Sequence, residues 1–157
     1  MSDLTLQAAE TELGELRLIG IRVLCPPDQY SDEIPRAINL LLERLTEIKG
    51  AAHSDRLVGA FKVEEDCPEE DGYWIGIEVK EFISIPDGMF SLEIPPQKYA
   101  SIRHKGPNNE IKNSYRELHK WIEEKGYKRL KNKWHIEIHQ SWESIEDLDI
   151  ELLDTIA

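Results

Sequence analysis

The chain has 157 residues, enough for one domain with a sizeable core, and its 31 acidic and 19 basic residues give a formal net charge of −12. This charge argues against nucleic acid as a partner, because binding a phosphate backbone needs clustered Lys and Arg. No apolar run approaches the ~20 residues of a membrane span, and no leader-like N-terminus precedes the first strand pattern. Cys25 and Cys67 form neither a CxxC pair nor a disulfide framework. We therefore expect a cytoplasmic protein that binds neither nucleic acid nor membrane.

The first half of the chain alternates between strand and helix patterns. Residues 1–13 are acidic and aperiodic, and the sequence leaves open whether they are ordered. The elements predicted next are a strand over 15–25, an amphipathic helix from 31 to about 50, and strands over 57–64 and 73–82 joined by an acidic hairpin loop.

The second half repeats this order. It is predicted to contain an extended run over 90–94, a strand over 98–104, a helix from about 108 to 126, and strands over 133–140 and 149–156. We therefore predict one α+β domain over 1–157, built from a duplicated strand-helix-strand-strand module with halves of about 13–85 and 88–157. Two helices would lie on a curved antiparallel sheet, with a cleft between the halves that suits a small molecule.

The segment 133–140 alternates apolar and polar residues, so its two faces differ. One face carries Trp134, Ile136 and Ile138, and the other carries His135, Glu137 and His139. We expect the helices to cover the apolar face and the face of Glu137 to line the cleft, where a partly dry carboxylate attracts cations. On a wet face, Glu137 would be an ordinary surface acid. His135 and Glu137 lie close enough to chelate a metal, but hydrogen-bonded or solvated imidazoles are favoured, and no metal or other cofactor is expected.

Aromatic residues are the second candidates for a cation site, since each ring attracts a cation by about 0.5–2 kcal/mol. Trp74 falls on the strand face opposite Ile75 and Ile77, which makes it a candidate for the cleft. Tyr99 and Trp134 are also candidates, although core packing is the favoured role of Trp134. Tyr115 and Trp121 lie on the apolar stripe of the second helix and are predicted to be core.

Four segments together resemble the GyrI-like small-molecule-binding domains, also called AraC-type effector-binding domains: 73–79, 99–107, 134–139 and 150–152. The resemblance implies the duplicated fold and an aromatic-lined cleft. In multidrug-sensing members, which are associated with transcription regulation, a glutamate on the strand after the second helix contacts lipophilic cations, and Glu137 matches it. The family often has Glu-x-Tyr where this chain has Glu137-Ile138-His139. Members are often fused to a DNA-reading helix-turn-helix, for which there is no room here, so a free-standing member is expected.

Three functions follow from this reading of the sequence. The first is capture of an amphipathic or cationic small molecule, with ligand-binding residues Glu137, Trp74, Tyr99, His139, His135 and Trp134. The second, implied by the resemblance, is hydrolysis of reactive electrophilic compounds, with Glu137 as general base. The third is binding and modulation of a basic protein partner by this acidic chain.

Overall fold

Two helices lie on one face of an open antiparallel sheet in the computed structural model, which describes residues 8–52, 56–63, 70–141 and 148–157. The elements are β1 (Ala9–Leu13), β2 (Leu16–Val23), α1 (Tyr30–Glu43), β3 (Leu57–Phe61), β4 (Tyr73–Glu78), β5 (Phe90–Ile94), β6 (Gln97–Gly106), α2 (Ile111–Glu124), β7 (His135–Ser141) and β8 (Leu148–Thr155). This confirms the predicted α+β class and the two helices. Most of the predicted acidic hairpin loop before β4 lies outside the described residues.

The order of the eight described strands is β1-β6-β8-β7-β3-β4-β2-β5, which reads alike from either edge when the two halves are exchanged. The first strand of each half pairs with the other half: β1 precedes β2 but pairs with β6, and β5 precedes β6 but pairs with β2. The halves meet where β3 pairs with β7, in a register that sets Gly59 opposite Glu137. The centre of the sheet is therefore the seam between the halves.

Each helix covers the outer strands of one half. α1 buries Ala37, Ile38 and Leu41 in a cluster with β2 and β4, and α2 buries Leu118 and Ile122 in a cluster with β6 and β8. α1 ends at Glu43, earlier than predicted, and a short 3-10 turn follows over Leu45–Glu47. Because each helix sits over its own half, the seam between β3 and β7 is left uncovered by helix.

The face of the sheet away from the helices is also dry. Leu18, Ile94, Tyr99 and Ile136 on that face are fully buried in a third apolar cluster. A Cβ on Gly20 would lie 2.0 Å from the backbone oxygen of Ile75 in β4, so only glycine allows β2 and β4 to approach this closely. Both faces of the sheet therefore bury apolar side chains. Within the described part of the chain, no helix is both long enough and apolar enough to cross a membrane.

Candidate functional site: a cleft between the two helices

The polar face of β7 lies on the same side of the sheet as the helices, so the predicted orientation of this strand was wrong. Glu137 reaches Tyr115 of α2, whereas Trp134, Ile136 and Ile138 belong to the apolar cluster on the opposite face. The prediction treated the helix-bearing face as wholly core. The helices cover only the flanks of that face, and its centre remains open between them.

The open centre forms one cleft with two lobes of about 1060 and 450 Å³. Glu137 and Tyr73 line both lobes, and so do Tyr30 and Ile34 of α1 and Ile111 of α2. Glu137 and Tyr73 therefore lie where the two lobes meet. A cavity of this size, with mostly apolar walls and a few convergent polar groups, is typical of small-molecule sites.

The carboxylate of Glu137 is held by two tyrosines. Tyr73 Oη donates to Oε1 at 2.7 Å, and Tyr115 Oη donates to Oε2. His139 Nε2 lies 2.8 Å from Tyr73 Oη. Since the single hydroxyl proton of Tyr73 points to Glu137, the imidazole must donate to the phenol oxygen, which fixes its Nε2–H tautomer. The hydrogen bonds therefore run in one direction, from His139 through Tyr73 to Glu137, and we call these three residues the relay.

The side chains around Glu137, which are Tyr73, Tyr115 and His139, are neutral. Burial, and then the charge of Glu137, raise the pKa of both Tyr73 and Tyr115 well above the ordinary value, so both phenols remain protonated. Burial lowers the pKa of His139, and the opposing effect of Glu137 is smaller, so the imidazole is neutral at pH 7. The side chain of Glu137 is 12% exposed. No Lys or Arg among the described residues lies within ion-pair distance of it, and His139 Nε2 is 3.9 Å away.

A glycine makes room for this arrangement. Gly59 lies directly opposite Glu137 on β3, and a Cβ there would fall 1.9 Å from Tyr73 Oη. The phenol of Tyr73 therefore crosses the bare backbone of Gly59 to reach the carboxylate. Any side chain at this position would displace the hydroxyl.

A second acid, Asp154 of β8, lines the larger lobe and is 2% exposed. His135 Nδ1 lies 3.0 Å from Oδ1 of Asp154. His119 Nε2 lies 2.8 Å and Arg129 Nε 3.0 Å from Oδ2, but neither contact has the geometry of a hydrogen bond. Burial disfavours the carboxylate, but the contacts with His119 and His135 and the charge of Arg129 outweigh it and hold the pKa of Asp154 below its ordinary range. Unlike Glu137, this acid has an arginine within ion-pair distance, together with two imidazoles.

The structure brings only some of the predicted site residues together. Glu137 and His139 line the cleft, and His135 is fully buried beside it against Asp154. Trp74 and Trp134 lie on the opposite face of the sheet, with ring centroids 5.9 Å apart.

Tyr99 is also buried in the apolar cluster of the opposite face. The rings of Trp74 and Trp134 already hold cations of the chain itself, because Arg22 Cζ lies 4.6 Å and Lys62 Nζ 4.9 Å from their centroids. These three aromatic residues were predicted to line the cleft because the wrong face of the sheet was assigned to it. The helix-bearing face is the cleft face, so Tyr73 and not Trp74 points into the cleft.

Sequence reasoning missed Tyr73, Tyr115 and Asp154. Tyr115 was predicted to be core, but its hydroxyl overhangs the cleft. A buried tyrosine needs a hydrogen-bond partner, so a tyrosine on the stripe of a helix that packs above an acid-bearing strand was an available signal. Among the described residues, no group of three His, Cys, Asp or Glu side chains is placed to hold a metal ion.

Comparison with known proteins gives a family match. A sequence model of the GyrI-like small molecule binding domain matches residues 9–148. No curated protein sequence matches the chain.

Several solved structures share the fold. The C-terminal domain of EcmrR superposes with a TM-score of 0.68 at 20% identity, covering 96% of this chain and 97% of that one. The chain spans 57% of EcmrR as it occurs in a complex with DNA. SAV2435 bound to tetraphenylphosphonium gives a TM-score of 0.67 at 14% identity and coverages of 96% and 94%. A hydrolase from Listeria innocua gives 0.61 at 14% identity, with coverages of 98% and 93%.

Proposed function

Because the chain belongs to the family of GyrI-like small molecule binding domains, we propose that it binds a lipophilic cation in the cleft between α1 and α2, with Glu137 as the counter-charge. The observation that carries this proposal is the environment of Glu137. Its side chain is only 12% exposed, and its carboxylate receives hydrogen bonds from two neutral phenols and has no Lys or Arg partner among the described residues.

The carboxylate of Glu137 lacks a counter-charge among the described residues. A largely buried charge is costly unless it is paired, and the phenols donate hydrogen bonds to the carboxylate of Glu137 without supplying a positive charge. A cation that enters the cleft supplies the missing charge. A lipophilic cation loses little hydration on entry, and its apolar groups can pack on Tyr30, Ile34 and Ile111. The fold relative SAV2435, solved with tetraphenylphosphonium, supports the same class of probe.

The test uses two ions of nearly identical shape and opposite charge, tetraphenylphosphonium and tetraphenylborate. Tetraphenylphosphonium should raise the Tm, since a ligand at 100 times its Kd adds about 2.7 kcal/mol to the free energy of unfolding. Tetraphenylborate should not, because it meets the same apolar walls with a charge that Glu137 repels. Equal stabilisation by both ions would show apolar binding without a role for the acid, and stabilisation by neither would contradict the proposal.

The relay from His139 through Tyr73 to Glu137 favours a second function, hydrolysis of an electrophilic small molecule. Glu137 would act as the general base on a water held in the cleft, and the phenols would orient it. Fold similarity to a Listeria innocua hydrolase supports testing this activity. Multiple-turnover hydrolysis of an epoxide, at a rate proportional to the concentration of the folded protein, would favour the hydrolase function. An epoxide that is hydrolysed no faster with the protein than without it would leave binding as the function.

A further inference from the structure

The wall of the larger lobe beyond Glu137 carries a permanent cation, Arg129, beside the buried acid Asp154. His135 Nδ1 faces Asp154 Oδ1 at 3.0 Å, and its Nε2 faces the backbone oxygen of Leu130 at 3.2 Å. His119 Nε2 and Arg129 Nε both lie against Asp154 Oδ2. Both oxygens of Asp154 are therefore already contacted by nitrogens of the chain.

Arg129 is the cation of this cluster that a ligand can reach. Its side chain is 23% exposed and lines the larger lobe, whereas His135 is fully buried. Only Nε faces Asp154, and the terminal amino groups of the guanidinium form no hydrogen bond with any residue that the structure describes. His119, with a side chain 38% exposed, lies beside it in the same lobe. A free guanidinium edge in a cavity matches a carboxylate, which it can bind through two parallel hydrogen bonds.

The cluster of Arg129, His119 and His135 around Asp154 lies close enough to Glu137 for one ligand to touch both. His135 and Glu137 are two residues apart on the same face of β7, which separates them by about 7 Å along the strand. On α2, Tyr115 contacts Glu137 while His119, one turn later, contacts Asp154, and the two rings lie 5.9 Å apart. The larger lobe thus has a negative and a positive subsite side by side.

We propose that the cleft is selective for zwitterionic amphipathic ligands, whose cationic group binds at Glu137 and whose carboxylate binds the free edge of Arg129 beside His119. This rests on the proposed function, because it requires that the cleft be the binding site. It differs in naming a second charge on the ligand. A cation without an acceptor would use only half of the polar contacts that the lobe offers.

A matched pair of dyes tests the proposal. Rhodamine 6G is a cationic ethyl ester, and rhodamine 19 is the same xanthene dye with a free carboxylate. Binding is followed by fluorescence anisotropy at pH 7.5 for the wild type, Arg129→Gln, Arg129→Lys and the control Arg116→Gln. Arg116 is an exposed residue of α2 that does not line the cleft and contacts Asn113.

The wild type should bind the carboxylate dye about tenfold more tightly than the ester, the gain expected from one charged hydrogen-bonded contact that is partly exposed. Arg129→Gln should remove this preference and leave the affinity for the ester within about twofold. Arg129→Lys should keep part of it, and Arg116→Gln should keep all of it.

Equal affinity of the wild type for both dyes would overturn the zwitterion proposal while leaving the cation site intact. Failure of both dyes to bind the folded wild type would overturn the proposed function and this proposal with it. If Arg129→Gln does not fold, the preference of the wild type and of Arg129→Lys still decides the outcome, because both follow from the charge at this position. A wild-type preference that Arg129→Gln retains would place the carboxylate elsewhere.

Discussion

Replacing Glu137 with glutamine should weaken the binding of tetraphenylphosphonium while the fold survives. The change is nearly isosteric and removes one negative charge at the junction of the two lobes. The amide oxygen can still accept a hydrogen bond from one of the two tyrosines, and the hydroxyl of the other can rotate away from the new amino group.

The magnitude follows from the burial of the charge. A cation about 4 Å from a carboxylate gains about 4 kcal/mol at an effective dielectric of 20. Glu137 is 12% exposed even without ligand, so most of its own dehydration belongs to folding and not to binding. The dehydration of the cation offsets part of the gain, which leaves about 1–3 kcal/mol, or about 5- to 150-fold in Kd.

Isothermal titration calorimetry with both variants and both tetraphenyl ions measures this difference. Glu117→Gln is the matched control, because it removes the same charge from an exposed position of α2 that does not line the cleft. The Glu137→Gln protein should bind tetraphenylborate more tightly than the wild type does, since the repulsion is gone. Unchanged affinity for tetraphenylphosphonium in a folded Glu137→Gln protein would refute the placement of the site.

Three other experiments test the hydrogen bonds around Glu137. Tyr115→Phe removes one donor to the cleft carboxylate and should lower the free energy of unfolding by about 1–3 kcal/mol in urea denaturation, with an unchanged m-value. Gly59→Ala should displace the hydroxyl of Tyr73 and weaken tetraphenylphosphonium binding by about tenfold, whereas Gly14→Ala, with open space around its Cβ, should leave it unchanged. Burial lowers the pKa of His139 from 6.5, so as the pH falls the imidazole is protonated in the unfolded chain before it is protonated in the folded protein. The urea midpoint should therefore fall as the pH drops below about 6.5, and it should fall less steeply in His139→Asn.

The elements of the fold could be predicted because their signals are local. Alternation with a period of two identified β7 as a strand with Glu137 and His139 on one face, and the structure agrees. Helical spacing predicted the stripes of α1 and α2 that pack on the sheet. These patterns depend only on neighbours along the chain, so they survive without knowledge of the tertiary structure.

The composition of the site could not be predicted in the same way, because it depends on the distance between two elements that are remote in sequence. Period-two alternation shows that β7 has two different faces, but both faces of this sheet bury apolar side chains, so apolarity does not reveal which one meets the helices. The gap between α1 and α2 then decides that Tyr115 borders a cavity while Leu118, three residues later, is core. A helical stripe looks the same in both situations.

The pseudo-symmetry of the sheet explains why a single carboxylate lies at the centre of the cleft. Gly59 and Glu137 occupy equivalent places, since they face each other at the centre of the strand pair where the two halves meet. Two identical halves would set two carboxylates about 5 Å apart, and their repulsion would drive one of them to take up a proton. Glycine in the first half leaves a single charge and the space that Tyr73 needs.

The two tyrosines that hold Glu137 also have no tyrosine at the equivalent positions of the other half. Tyr115, the fifth residue of α2, has Ile34, the fifth residue of α1, as its counterpart, and both line the larger lobe. Gly59 pairs with Ile75, and its equivalent Glu137 pairs with Leu152. Tyr73 lies two residues before Ile75, so its counterpart is Ile150, which lies two residues before Leu152 and lines the smaller lobe. Glu137, Tyr115 and Tyr73 thus have glycine, isoleucine and isoleucine as their counterparts. The hydrogen-bonded carboxylate therefore occurs once in the cleft, although the fold that surrounds it occurs twice.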